Sequence, residues 1–231
     1  AGSNHGISDL YLYEFSTDST RQLTDDLYAQ LQPSWSPDGK RVAFVTDQGS
    51  SLESDSLIFQ KPSLGIFTLQ TGEIEFIGFD PTVKHISPHF SSDGTELYFI
   101  ANPDGVSDLY GYTFGDTTFY RYTTIATGIS GLTELSPALS VARNRELFVF
   151  NVFEHRAYSI YALDKQRAAR TLFKPSKDSL VEHTIALPPY PRTGPVIQEH
   201  ARHDITRNVK GEQDSVTPYD PQLRLLAVGQ L

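Results

Sequence analysis

The chain has 231 residues, of which 39% are hydrophobic, with 12 Tyr, 14 Phe, no Cys, no Met and a formal net charge of −9. Without Cys there are no disulfides and no cysteine metal sites. The acidic balance argues against non-specific nucleic-acid binding, and no run of about 18 apolar residues offers a membrane-spanning helix.

The first predicted element is Ile7-Ser8-Asp9-Leu10-Tyr11-Leu12-Tyr13, a strand that Arg21–Thr24 closes as a partner. Next comes a phrase, Pro33-Ser-Trp35-Ser-Pro37-Asp38-Gly39-Lys-Arg-Val42-Ala-Phe44-Val-Thr46. It reads as two short strands around a tight turn: Gly accepts positive φ and Asp bonds its own backbone, while the second strand is β-branched and aromatic. A third strand follows at Leu64–Leu69 and, after Thr71-Gly72, a fourth at Ile74–Ile77.

The phrase then returns. Pro88-His-Phe90-Ser-Ser-Asp93-Gly94-Thr-Glu-Leu97-Tyr-Phe99-Ile-Ala101 leads into Asp108–Tyr112 and, past Gly115-Asp116, into Phe119–Tyr122. A decayed copy starts at Pro137-Ala-Leu139-Ser140 and loses the Asp-Gly turn. It resumes at Glu146–Phe150, continues through Ser159–Leu163 and ends in a weak fourth strand at Arg170–Phe173. The three prolines lie 55 and 49 residues apart. Four short strands recurring at about that period are the pattern of a β-propeller blade, and an ordinary sandwich does not require the recurrence.

Because Ile7–Tyr13 matches Val106–Tyr112 nearly position for position, the chain opens on half a blade. The expected fold is all-β, a propeller with about three and a half four-stranded blades over residues 1–175. Natural rings close with roughly four to eight blades, so the expectation is a segment of a larger ring of about six, completed by other domains or subunits. The lack of Met adds the expectation that Ala1 is not a native start. Residues 176–231 break the repeat. Leu187-Pro188-Pro189-Tyr190-Pro191 reads as extended linker, 197–216 are polar and weakly patterned, and 217–231 begin a strand with Leu223 and Leu225 on one side.

Signals for chemistry are sparse. There is no Gly-x-Ser-x-Gly elbow, no Gly-rich phosphate loop and no basic patch interleaved with aromatics. His85 and His89 are separated by Pro88, so they share no helical face, and Glu199-His200-Ala-Arg-His203-Asp204 lacks the His-Glu-x-x-His order. Asp38-Gly39 and Asp93-Gly94 are turns and not calcium loops. The candidate binding residues are Asp9 and Asp108, which recur at equivalent third-strand starts. They read either as turn-capping carboxylates or as part of a carboxylate ring at one mouth of the channel. Trp35 is expected in the core between blades, since its counterparts Phe90 and Leu139 are apolar. No cofactor, metal site or catalytic residue is expected.

The phrase Pro33–Phe44 together with strands of the Ser-Asp108-Leu109-Tyr110 type resembles the TolB-like propeller repeat, over residues 7–173. A second set is similar to bacterial proteins that carry such a propeller ahead of a surface-antigen-type outer-membrane barrel. It comprises Asp26–Pro33, Phe150–Glu154 with Tyr158–Tyr161, and Tyr219–Leu225. The resemblance implies periplasmic or outer-membrane association and a non-enzymatic role in binding a protein or peptide. The other expectation is a regulatory or substrate-gating propeller of a larger peptidase, of serine or zinc type, whose catalytic domain lies outside this chain.

Overall fold

The computed structural model describes residues 1–4, 7–48, 61–80, 82–133, 135–142 and 144–175. The sequence readings for 176–231, including Glu199–Asp204 and Leu223–Leu225, lie outside the described residues.

The head supplies two hairpins. β1 (Gly2–Asn4) pairs with β2 (Ile7–Asp9), and β3 (Tyr11–Glu14) pairs with β4 (Ser19–Gln22). The first blade is β5 (Gln30–Trp35), β6 (Arg41–Thr46), β7 (Ser63–Thr68) and β8 (Ile74–Ile77), each antiparallel to the next. The second repeats it with β9 (His85–Phe90), β10 (Glu96–Ala101), β11 (Asp108–Thr113) and β12 (Thr118–Arg121). The third holds β13 (Leu139–Ala142), β14 (Leu147–Glu154) and β15 (Ala157–Asp164). A final strand, β16 (Thr171–Phe173), follows a 3₁₀ turn at Lys165–Arg167. This is a partial β-propeller, as the repeat requires.

The repeat is reproduced atom by atom. In the first blade the Ser36 hydroxyl donates to Asp38 Oδ1 at 2.6 Å, the Lys40 amide donates to the same oxygen, and the Arg41 amide donates to Ser36 Oγ at 2.9 Å. In the second blade Ser91, Asp93, Thr95 and Glu96 make the same three bonds, at 2.6, 3.0 and 2.9 Å. These bonds hold both Asp carboxyls below their ordinary range, the serine hydroxyl contributing most; Asp93 falls to about 2. Gly39 and Gly94 occupy φ of 68° and 72°, where a Cβ costs about 1–2 kcal/mol. Gly39→Ala has open space around it, so its expected cost is that backbone penalty alone. The check is a urea-denaturation midpoint, where Gly39→Asn is expected to lose less.

The central strands β10 and β11 are buried along nearly their whole length, with Leu97, Phe99, Ile100, Leu109 and Tyr110 at 0% exposure. Burying a side chain of that size contributes about 1.5–3 kcal/mol. Phe79 gathers Phe119 and Phe173, both at 4.7 Å between ring centroids, with Tyr110 at 5.1 Å and Phe99 at 5.7 Å. The blades pack through their first strands: β9 lies against β5, β6 and β13.

Two expectations are corrected. Trp35 is not core; it is 40% exposed, whereas Phe90 and Leu139 are buried. Phe90 is covered from the preceding blade by the Arg41 guanidinium, 5.3 Å from its ring, and Arg41 also donates to the Gly94 carbonyl. Among the described residues the head provides no counterpart of β6, so nothing plays the part of Arg41 over Trp35. The second correction concerns the expected fourth strand of the third blade. It forms, as β16, but it pairs with β12 on the outer edge of the second blade, registering Phe119 with Phe173 and Arg121 with Thr171. Arg170 guides it there: its guanidinium lies 3.6 Å from the Tyr120 ring centroid and reaches Glu96 at 3.0 Å.

Candidate functional site

Asp9 and Asp108 sit at equivalent places, 4% and 0% exposed. Each carboxylate is engaged by the segment that leaves the fourth strand of its own unit. Thr123 donates to Asp108 Oδ1 at 2.6 Å, Arg121 Nη2 to Oδ2 at 2.5 Å and the Ile125 amide to Oδ1 at 3.0 Å. Arg121 also pairs with Asp104 at 2.9 Å. Burial pushes the Asp108 carboxyl up against the pull of these donors. In the head, Thr24 and Gln22 stand where Thr123 and Arg121 do, each 3.2 Å from an Asp9 oxygen. The threonine hydroxyls also accept the Leu10 and Leu109 amides, both at 2.9 Å.

A second carboxylate, Glu96, binds the third blade to the second. It accepts from the Tyr98 and Tyr122 hydroxyls at 2.8 and 3.1 Å and pairs with Lys165 and Arg170 at 3.1 and 3.0 Å. Burial raises its pKa, but Tyr98, Lys165 and Arg170 outweigh burial and leave it below the ordinary range. Glu96→Gln is expected to cost about 2 kcal/mol, because two hydroxyls and two cations lose a charged acceptor. Hydrogen exchange should show the amides of β16 opening faster than those of β11; equal protection in mutant and wild type would contradict the role of Glu96 as a tie.

Gln32 is a site residue that sequence reasoning passed over. It has φ 51° immediately before Pro33, and Ser87 repeats this with φ 55° before Pro88. Non-glycine residues held there carry strain that packing must offset. Gln32 accepts the Ser87 amide at 2.7 Å and donates to the Leu135 carbonyl at 2.6 Å, so one side chain ties three units together. The signal available in the sequence was the recurring x-Pro at the head of each copy.

An open cavity of about 570 Å³ lies between the exit of β12 and the β14–β15 hairpin. Its walls are mostly apolar, with Ile125, Phe150, Val152 and Leu163 prominent, and Arg167 and Glu154 at the rim. The Tyr161 hydroxyl donates to Glu154 and holds that carboxyl below its ordinary range. Arg167, Ala168 and Ala169, from the connector between β15 and β16, complete the lining. Such a volume lies in the usual range for ligand sites. Among the described residues no three His, Asp or Glu side chains gather as a metal site, and no helix is long and apolar enough to cross a membrane.

Fold and repeat geometry define a partial β-propeller, and the solved structures it resembles include TolB propellers. Among solved structures the chain is similar to TolB from Acinetobacter baumannii, with 18% identity and a TM-score of 0.52, covering 73% of this chain and 38% of that one. It is similar also to a protein assigned as TolB from Agrobacterium tumefaciens, with 17% identity, a TM-score of 0.54 and coverage of 73% and 57%. A puromycin hydrolase, crystallised as its S511A mutant in complex with PGG, aligns at 13% identity with a TM-score of 0.50, covering 66% of this chain and 23% of that one. The chain thus spans less than two thirds of the length of each. No family model matches the sequence, and no curated protein matches it.

Proposed function

We propose that the chain is a non-enzymatic protein-interaction module of the bacterial cell envelope, periplasmic or associated with the outer membrane, built on a partial propeller over residues 1–175. One observation carries this reading. The buried carboxylates Asp9, Asp108 and Glu96 are spent on internal ties, while the accessible features are an apolar cavity with Tyr161 in its lining and the exposed aromatics Phe153 and Tyr158 on the same hairpin. Rigid sheets holding an apolar recess and exposed aromatics suit recognition of protein segments. In this reading Asp9 and Asp108 serve binding indirectly, by fixing the exits of the fourth strands.

The test places a photo-crosslinking benzoylphenylalanine at Phe153 and exposes the chain to a bacterial envelope extract. The expected result is a discrete protein adduct that unlabelled chain competes away. Recovery of small molecules alone would overturn the reading.

The second reading is a gating propeller of a larger peptidase. It draws on the hydrolase alignment, in which the matched part is 23% of that protein. The flanking gene sequence separates the two: a Gly-x-Ser-x-Gly domain downstream or a His-Glu-x-x-His domain upstream supports the peptidase.

A further inference from the structure

β15 differs from every other outer strand. In the first two blades the third strand carries a fourth: β7 is covered by β8 and β11 by β12. β15 is eight residues long and, among the described residues, has a partner only on its inner side, β14. It also lacks the usual protection of an edge. Ala157–Leu163 contain no charge and no proline, whereas β8 carries Glu75, β4 carries Arg21, and β16 lies between Arg170 and Lys174-Pro175. Ile160 is 74% exposed in the middle of β15, with Tyr158 and Tyr161 each at 43%. An edge that is apolar and uncharged over seven residues, Ala157–Leu163, and has no outer ladder partner among the described residues, pairs readily with an incoming strand.

Two further observations define what the incoming strand is like. Tyr161, Ala162 and Leu163 line the 570 Å³ cavity, so one face of β15 opens on an apolar recess. The strand also lies between two arginines. Arg156 precedes it in a two-residue turn with φ 49° and 67° at His155 and Arg156, and Arg167 follows it on the cavity rim. Neither arginine has an ion-pair partner among the described residues, whereas Lys165, Arg121 and Arg170 all do. In a chain of net charge −9, two cations without ion-pair partners among the described residues, flanking an edge that is uncharged from Ala157 to Leu163, are complementary to an acidic-ended segment. Two carboxylates lie nearby, and both already accept hydrogen bonds: Glu154 from the Tyr161 hydroxyl and Asp164, the last residue of β15, from the Gln166 amide at 2.9 Å.

We propose that the outer edge of β15 is a strand-addition site for an extended segment of a partner protein, apolar at alternate positions and acidic at both ends, with its inward side chains seated in the cavity. It runs antiparallel to β15, as β8 and β12 do to their neighbours. This rests on the interaction-module reading above and gives it a recognition mode.

The test uses the full chain and a fluorescein-labelled peptide, Asp-Val-Thr-Val-Thr-Val-Thr-Asp. Controls are the same peptide with lysine at both ends and one N-methylated at alternate residues. Saturable anisotropy is expected for the acidic peptide, weakening as salt rises, with no binding by the N-methylated peptide. Ile160→Lys should weaken binding at least about tenfold by placing a charge in the edge, with an unchanged circular dichroism spectrum and melting point. Arg156→Glu with Arg167→Glu should shift preference to the lysine-ended peptide. Hydrogen exchange supplies the second readout: amides of 158–163 exchange fast in the free chain and slow on adding the acidic peptide. Equal binding of both charged peptides, or no slowing, overturns the proposal. So does protection already present in the free chain. Independent of concentration, it assigns the edge to the chain's own residues; appearing with dimerisation in sedimentation, it assigns it to a second copy. If Ile160→Lys still captures the same envelope protein through position 153, the interaction reading stands and the edge site falls.

Discussion

Asp108→Ala is expected to be the most damaging single substitution in the chain, costing about 3–5 kcal/mol. The residue is 0% exposed, and its removal leaves the Thr123 hydroxyl, the Ile125 amide and one arm of Arg121 without an acceptor. Arg121 keeps Asp104, so the cost stays finite. The repeat provides the control. Asp9 makes the same tie with uncharged, exposed Gln22 in place of Arg121 and longer bonds, and Thr24 also reaches Gln30, so Asp9→Ala should cost only about 1–2 kcal/mol, near the net worth of one or two neutral hydrogen bonds. Asp108→Asn should fall between them, since the amide can still accept from Thr123 and Ile125. Chemical denaturation of the three variants orders them. Equal losses at positions 9 and 108 would show that the ion pair adds nothing beyond the threonine tie.

A second large effect is expected on acidification. His85 is 1% exposed, its Nε2 accepts the Phe79 amide at 3.1 Å, and its ring packs on Phe79 and Phe99. Since Nε2 accepts, the neutral ring carries its proton on Nδ1, which is buried without a hydrogen-bond partner among the described residues. Burial lowers its pKa to about 4, opposed by the backbone at Val83 and Pro62. The unfolded chain titrates near 6.5 and the folded chain near 4, so the unfolded state binds the extra proton throughout that window. Stability is therefore fully present above about pH 6.5 and declines as pH falls toward 4, by roughly 3 kcal/mol. His89, lowered by burial as well, acts in the same direction. Denaturation midpoints from pH 7.5 to 4 should show this slope. His85→Gln, whose amide oxygen can still accept from Phe79, should remove most of it. A wild-type profile flat above pH 5 would mean that His85 reaches solvent. Losses below about pH 4.5 belong to Glu96 and Asp93, whose carboxyls are held down.

What was legible in the sequence was what local chemistry decides. Ser36-Pro-Asp38-Gly39 and Ser91-Ser-Asp93-Gly94 specify their own turn through bonds spanning two to five residues, so the repeat and the propeller could be read directly. The recurrence of Asp9 and Asp108 was equally plain, but their partners lie 13–17 residues away across a hairpin. Seeing a carboxylate does not reveal that a threonine and a cation already hold it. Trp35 failed for another reason. Its pattern is that of a core residue, but coverage of an inter-blade position depends on the neighbouring blade, where Phe90 has Arg41. The fate of β16 was also out of reach: Tyr120 and Glu96, which draw Arg170 away from the third blade, lie 50 and 74 positions upstream in the chain. The cavity, lined from four separate stretches between Tyr122 and Ala169, has no local signature either.

The stitch made by β16 also bears on how the chain comes off the ribosome. In repeat proteins each unit's contacts are with its immediate neighbours, so folding can propagate from one unit to the next. Here the outermost strand of the second sheet pairs residues 50 apart, Arg121 with Thr171, and all three strands of the third blade lie between them. The second sheet therefore stays open along β12 until Phe173 has emerged, and its closure waits on a long loop, a topology that folds slowly. During that interval β12 is an exposed edge on a nascent chain, the period in which pairing with a wrong strand is most probable.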